Sequence, residues 1–247
     1  MIIALLTDFG TRDYFVGAMK GVILSIAPTA TIVDITHEIG RHDIAEASFT
    51  LRSCWQKFPT GTVFVAVVDP GVGSERRAIV IKSRERFFVG PDNGIFGFLA
   101  GEEGELEAVA VDVDRFRTGD SRTFEGRDIF APVAAAIAGG TELHSLGDPI
   151  LFQADAGESF DCIIHVDRFG NAVTSVAANE LDSISSIEVS GLAISTRVVC
   201  YADSESAEPF LIAGSAGFIE ISIRKEPFSE RFSVRIGDPI RVLRNVF

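Results

Sequence analysis

The chain has 247 residues, 47% of them hydrophobic and 23% charged, with a formal net charge of −13. That length suffices for one large domain or two modest ones, and the composition is that of a globular protein. The negative charge argues against a broad nucleic-acid surface, and no apolar run approaches the roughly 18 residues needed to span a bilayer. Cys54, Cys162 and Cys200 are too scattered for a metal cluster; their odd number points to reduced thiols in a cytoplasm.

In chain order, the apolar start at Ile2–Leu6 stops at Thr7-Asp8 and lacks a basic leader, so a first strand is expected rather than a signal peptide. Tyr14–Ile26 has helical spacing, with Asp13 expected as its N-cap and Pro28 just beyond its end. Thr31–Ile35 reads as a second strand. Asp43–Phe58 reads as a second helix, capped by Asp43 and stopped by Pro59-Thr60-Gly61. The β-branched run Thr62–Val68 is a third strand; Ala78–Ser83 and Arg86–Val89 form a pair leading to the turn Pro91-Asp92-Asn93-Gly94. A strand at Glu107–Val113 and an alanine-rich helix at Asp128–Ala138 complete this half. Alternating strands and helices imply an α/β domain over residues 1–150, its mostly parallel sheet covered by helices on both faces.

Residues 151–160 are expected to be a linker. From 161 to 247 the pattern changes to short strands separated by turns, predicted at Asp161–Val166, Ala172–Val176, Ile187–Val189, Ala193–Val199, Pro209–Ile212, Phe218–Ile223, Phe232–Ile236 and Ile240–Leu243. This predicts a smaller all-β domain, a barrel or a sandwich.

Chemistry-bearing residues gather at predicted strand ends. The third strand stops at Asp69, and Pro70-Gly71-Val72-Gly73 forbids its continuation, with Arg76 and Arg77 returning on the far side. In an open α/β sheet, ligands bind at the carboxyl ends of strands; a plain turn with a solvated Asp is the competing reading. Asp8 ends the first strand in the same way, where a carboxylate suits ribose hydroxyls. No dinucleotide or P-loop fingerprint is present, so an adenosine-type ligand without phosphates fits better. His37 ends the second strand, but no second His or Cys stands at ligand spacing. Scattered Asp8, Asp69 and Asp92 do not demand magnesium, and no metal is expected. His42, His144 and His165 read as structural or exposed. Glu125 lies just before Gly126-Arg127-Asp128, where Asp128 is expected to cap a helix and pair with Arg127. In the β half, Asp167-Arg168-Phe169-Gly170-Asn171 reads as a hairpin turn whose ring and amide suit a purine, and Ser215 sits in a second small-residue loop.

Six segments carry a resemblance: Leu-Thr-Asp-Phe-Gly at 6–10, Asp-Ile-Thr-His-Glu at 34–38, Val-Val-Asp-Pro-Gly-Val-Gly at 67–73, Pro-Asp-Asn-Gly at 91–94, Gly-Arg-Asp-Ile-Phe-Ala-Pro at 126–132 and Asp-Arg-Phe-Gly-Asn at 167–171. In this order they resemble the S-adenosylmethionine hydroxide adenosyltransferases, relatives of enzymes that fluorinate or chlorinate the same substrate. The resemblance implies hydrolysis of S-adenosyl-L-methionine to adenosine and L-methionine by water or hydroxide at the ribose 5′ carbon, with no cofactor. It also implies a cytoplasmic homotrimer with sites at subunit interfaces, a small-molecule substrate, and neither a nucleic-acid nor a membrane partner. Asp8 is placed at the ribose diol and Asp13 at the methionine end, with Asn93 a further substrate contact. Phe169 and Asn171 are placed at the adenine, Asp167 and Ser215 at the methionine moiety. Asp69, Arg76 and Glu125 form the implied catalytic set, Asp69 and Arg76 favouring hydroxide over halide.

One position departs from the family pattern. Hydroxide-type members carry His where this chain has Glu125, which makes the Asp69/Arg76/Glu125 set one charge more negative. Two outcomes follow: Glu125 serves as the base, or the anionic pocket leaves a weakened or inactive binder of adenosyl ligands. A halide-using enzyme is a more remote reading.

Overall fold

The structure is a computed structural model, and it describes residues 1–101, 105–153, 161–204 and 207–245. The chain divides into two compact units, Met1–Asp155 and Ala156–Phe247. Of the expected linker, residues 154–160 lie outside the described residues.

In the first unit, β1 (Ile2–Thr7), α1 (Phe15–Ile26), β2 (Thr31–Thr36), α2 (Ile44–Cys54) and β3 (Val63–Val67) follow one another as expected. They continue into β4 (Ala78–Ser83), β5 (Arg86–Pro91), β6 (Leu106–Val111), the short α3 (Val113–Phe116), α4 (Ala131–Ala138) and β7 (Gly147–Pro149). A seven-stranded sheet runs β2-β1-β3-β5-β4-β6-β7. β1 pairs in parallel with β2 and β3, and β3 with β5; the pairs β4–β5, β4–β6 and β6–β7 are antiparallel. The sheet is therefore mixed rather than mostly parallel, because the tight turn at Arg84-Glu85 returns the chain antiparallel where a helical crossover is needed for parallel pairing.

Strand alternation builds two cores. Ile3 and Leu5 of β1 face one way and join Met19 and Ile23 of α1 and Val133, Ala134 and Ile137 of α4. Ala4 and Leu6 face the other way and join Ala47 and Leu51 of α2, with Trp55 and Phe88. Each helix offers residues three or four apart to its face of the sheet. Helices thus cover both faces, as expected.

Two expected caps are corrected. α1 begins at Phe15 with Tyr14 at its N-cap and no side-chain cap bond, so Asp13 caps nothing. Asp128 lies inside a π-helical turn, Gly126–Phe130, that runs into α4. Its buried carboxylate instead takes a forked bond from Arg127 Nε at 2.7 Å and Nη2 at 2.8 Å, the expected ion pair. Asp43 does cap α2, accepting from the Glu46 amide at 2.8 Å.

The second unit holds β8 (Ile163–Val166), β9 (Ala172–Ala177), β10 (Ile184–Val189), β11 (Leu192–Ile194), β12 (Phe210–Ala213), β13 (Phe218–Ser222), the short α5 (Phe228–Phe232) and β14 (Arg241–Arg244). Sheets β11-β10-β14 and β12-β13-β9-β8 share one core of Ile163, Val176, Ile187, Ile194, Leu211, Ile219 and Phe228. That is a small sandwich. The predicted strand Phe232–Ile236 is replaced by the end of α5 and a left-handed turn at Ser233, φ +55°. The predicted strand Ala193–Val199 shortens to β11. No helix among the described residues is long and apolar enough to cross a membrane.

Candidate active site

Parallel pairing of β1 with β3 sets Thr7 opposite Val67, so the segments carrying Asp8 and Asp69 leave the sheet side by side. They open into a cleft of about 330 Å³ lined by Asp8, Asp13, Asp69 and Glu125 among polar groups and by Phe9, Phe15 and Phe124 among aromatic ones. The three rings pack edge-on or tilted, with centroids 5.1 to 5.8 Å apart. Asp8 and Asp13 over an aromatic wall suit an organic cation.

The loop after β3 is stiff. The Asp69 carbonyl accepts from the Val72 amide at 3.2 Å and the Gly71 carbonyl from Ser74 at 3.0 Å. Gly73 is left-handed, φ +78°, and a Cβ there would stand 3.0 Å from the Arg122 carbonyl oxygen. The loop is thereby pressed against the segment that carries Glu125. Arg76 returns under the cleft and donates Nε to Asp69 Oδ1 at 2.9 Å and Nη2 to both Asp69 Oδ2 and Glu125 Oε2. It also stacks over Phe130, 5.4 Å from the ring centroid. These groups are largely dry: side-chain exposure is 5% for Asp69, 8% for Glu125 and 11% for Arg76. Burial alone would lower the Arg76 pKa, but its bond to Asp69 and the charges of Asp69 and Glu125 raise it above the ordinary arginine value. The expected catalytic trio is therefore brought together.

Sequence reading missed Arg117. Its Nη2 lies 3.3 Å from Glu125 Oε1. Asp69 and Glu125 are thus matched by two guanidinium groups, so the extra charge that Glu125 brings to the set has a counter-ion. Nothing in the spacing of Arg117 pointed to this, because a separation of eight residues in a loop does not specify a contact.

Other expected residues divide between the units. Asp8 Oδ2 accepts from the His42 amide at 2.8 Å, and His42, read earlier as structural or exposed, lines the cleft with Arg41. Asp13, exposed and free of any capping duty, faces no competing role. Asn93 braces the frame: its amide donates to the Val68 carbonyl at 2.8 Å and its side-chain oxygen accepts from Ile95 at 3.3 Å. That fixes the strand end bearing Asp69. Asp92 is held by Arg77 Nε at 2.8 Å rather than standing free for magnesium. His37 is buried, its Nδ1 2.8 Å from the Thr7 hydroxyl. Among the described residues no group of three or more His, Cys, Asp or Glu is placed to hold a metal ion.

In the second unit, Asp167, Phe169, Asn171 and Ser215 line one cavity of about 810 Å³. The hairpin turn is as expected: Asp167 accepts from the amides of Phe169 at 2.8 Å and Asn171 at 2.9 Å, and from Asn171 Nδ2 at 2.8 Å. Phe169 presents its ring, 76% exposed. Gly170 is left-handed, φ +81°, and a Cβ there would stand 2.4 Å from Pro227. Two further members of this wall escaped sequence reading, the buried Glu220 and Tyr201, whose hydroxyl donates to Glu220 Oε2 at 2.7 Å. Burial pushes the Glu220 carboxyl above its ordinary range and the Asp167 charge adds to this, while the Tyr201 bond offsets part of it.

A doubly covered sheet with a buried carboxylate–guanidinium set at its strand ends, followed by a β sandwich, defines a two-unit protein of enzyme type. The S-adenosylmethionine hydroxide adenosyltransferase N-terminal domain matches residues 3–147 and the C-terminal domain of that family residues 161–241. The chain belongs to this family. It is 36% identical to the (R)-S-adenosyl-L-methionine hydrolase of Methanocaldococcus jannaschii, over 98% of this chain and 95% of the relative. More distantly it is 24% identical to the fluorinase of an Actinoplanes species, over 98% and 97%. The crystal structure of an uncharacterized conserved protein from Thermotoga maritima superposes with a TM-score of 0.89 at 34% identity, covering 99% of this chain and 100% of that one.

Proposed function

We propose that the protein hydrolyses S-adenosyl-L-methionine to adenosine and L-methionine. The observation that carries this reading is the dry Asp69–Arg76–Glu125 set at the edge of an acidic, aromatic-walled cleft. A water oxygen bonds to the 5′ carbon as the carbon–sulfur bond breaks. The bonding pair returns to sulfur, and the sulfonium leaves as the neutral thioether of methionine. No acid is needed for that departure. The water must be desolvated, aimed and relieved of a proton. Arg76 cannot take the proton, since a guanidinium stays charged in proteins. Glu125 is the assigned acceptor, because Arg76 holds both oxygens of Asp69 while the second oxygen of Glu125 is held only at 3.3 Å. Glu125 beside the Asp69–Arg76 pair offers an acceptor for the proton that water must lose, a role a halide nucleophile does not need, which favours water.

In the same proposal Asp8 takes the ribose diol and Asp13 the methionine end, and Phe169, Asn171, Asp167 and Ser215 serve the adenine and methionine groups. The protein acts as a cytoplasmic homotrimer with sites at subunit interfaces, and it uses no cofactor. Free Cys54, Cys162 and Cys200 agree with a reducing compartment. The reading that Glu125 cripples catalysis rested on an uncompensated charge, and Arg117 supplies the compensation. The name of the Methanocaldococcus jannaschii relative specifies the (R) form of the substrate, and we extend that preference to this chain. Incubation with each resolved sulfonium epimer, followed by separation of products, tests the proposal. Adenosine and methionine are expected, faster from the (R) form. Neither product from either epimer would contradict it.

A further inference from the structure

Beyond the trio, Asp69, Arg76, Glu125 and Arg117 form a chain of alternating charge, with Arg117 at its outer end and 20% exposed. Arg117 is not among the residues lining the cleft. Its position is nevertheless built. Nη1 donates to the Ser121 carbonyl at 3.2 Å, the Thr118 amide donates to the Asp128 carbonyl at 3.1 Å, and a Cβ on Gly119 would stand 3.1 Å from the Asp128 carboxylate. The loop carrying Arg117 is therefore fastened to the same π-helical turn that follows Glu125. Without Arg117, Arg76 alone would face two buried carboxylates, and a buried carboxylate lacking its share of positive charge is costly.

We propose that Arg117 is a positioning residue that pairs with Glu125 and holds one of its oxygens away from Arg76, leaving the carboxylate oriented beside the attacking water. This rests on the hydrolase reading. It acts through Glu125, so it governs turnover and not substrate capture. Arg117→Met, which keeps an unbranched apolar stem and loses the charge, lowers kcat about ten- to a hundredfold while KM stays within about threefold. Arg117→Lys recovers most of that loss, which a purely steric role does not predict. A KM effect as large as the kcat effect, or no recovery with Lys, overturns the assignment. A second measurement needs no substrate. In urea unfolding, Arg117→Met lowers the midpoint, and adding Glu125→Gln returns part of the loss by removing the unpaired carboxylate. Losses that simply add show that Arg117 is not the counter-ion of Glu125. Absence of turnover in the unaltered protein defeats the hydrolase reading and leaves this second arm to decide the ion pair.

Discussion

At the scale of single residues, the shape of Arg76 holds the set together. Its Nε and Nη2 engage both oxygens of Asp69 while Nη2 also reaches Glu125, and Nη1 faces the Arg77 carbonyl at 3.5 Å. A lysine ammonium carries the same charge but cannot present that planar fork. Arg76→Lys is therefore expected to cost at least about a hundredfold in kcat with the fold intact, as steady-state rates and circular dichroism together would check. Asp69→Asn keeps the shape of the side chain and leaves Arg76 short of a charge; a similar loss is expected. Near-full activity in either variant removes Asp69 and Arg76 from the reaction. The thiols give a second residue-scale expectation. Burial pushes the Cys54 thiol up to about 11, and Cys200 is exposed. Iodoacetamide at neutral pH should label Cys200 well before Cys54, because the thiolate is the reacting form.

At the scale of elements, β3 and β5 must approach closely to bring Asp69 to its place. Gly90 permits this: a Cβ there would stand 2.3 Å from the Ala66 carbonyl oxygen and 3.0 Å from the Phe96 ring. Gly90→Ala should destabilise by ~1–3 kcal/mol through overpacking, read as a lower urea midpoint. In the second unit, the raised Glu220 carboxyl makes the folded state bind more protons than the unfolded chain above its ordinary value of 4.5. Its contribution to stability is therefore full below that value and lost as pH rises through the folded one. Glu220→Gln should flatten that part of the stability–pH curve, and an unchanged curve contradicts the assignment. Most strands and helices were legible because their apolar period matches the face they bury, as Ile3 and Leu5 against Ala4 and Leu6 illustrate. Phe232–Ile236 misled for the same reason: the alternation is real, yet Val234 is buried and Ile236 is 48% exposed, so no strand face is served. Asp13 misled because a cap needs backbone geometry that spacing does not specify.

At the scale of the whole molecule, two units each bring one cluster of ligand-suited residues, one acidic with an aromatic wall and one with an exposed ring beside an amide. The motif residues of both were readable because strand ends and glycine turns are marked in sequence. The charge balance was not, because the partnership of Arg117 with Glu125 depends on how the loop between them is pinned to Asp128 and pressed against Gly73. If the reaction needs only these side chains, dialysis against a chelator leaves the rate unchanged; if the proposed trimer forms, light scattering gives three times the mass of one chain. A rate lost on chelation and restored by a metal would contradict the cofactor-free reading. The central claim is that water is delivered to the 5′ carbon, and its most direct test is hydrolysis in water enriched in oxygen-18, with mass spectrometry of the products. The account predicts one heavy oxygen in adenosine and none in methionine. Methylthioadenosine with label in the amino-acid product, or unlabelled adenosine, would show that the attack lies elsewhere.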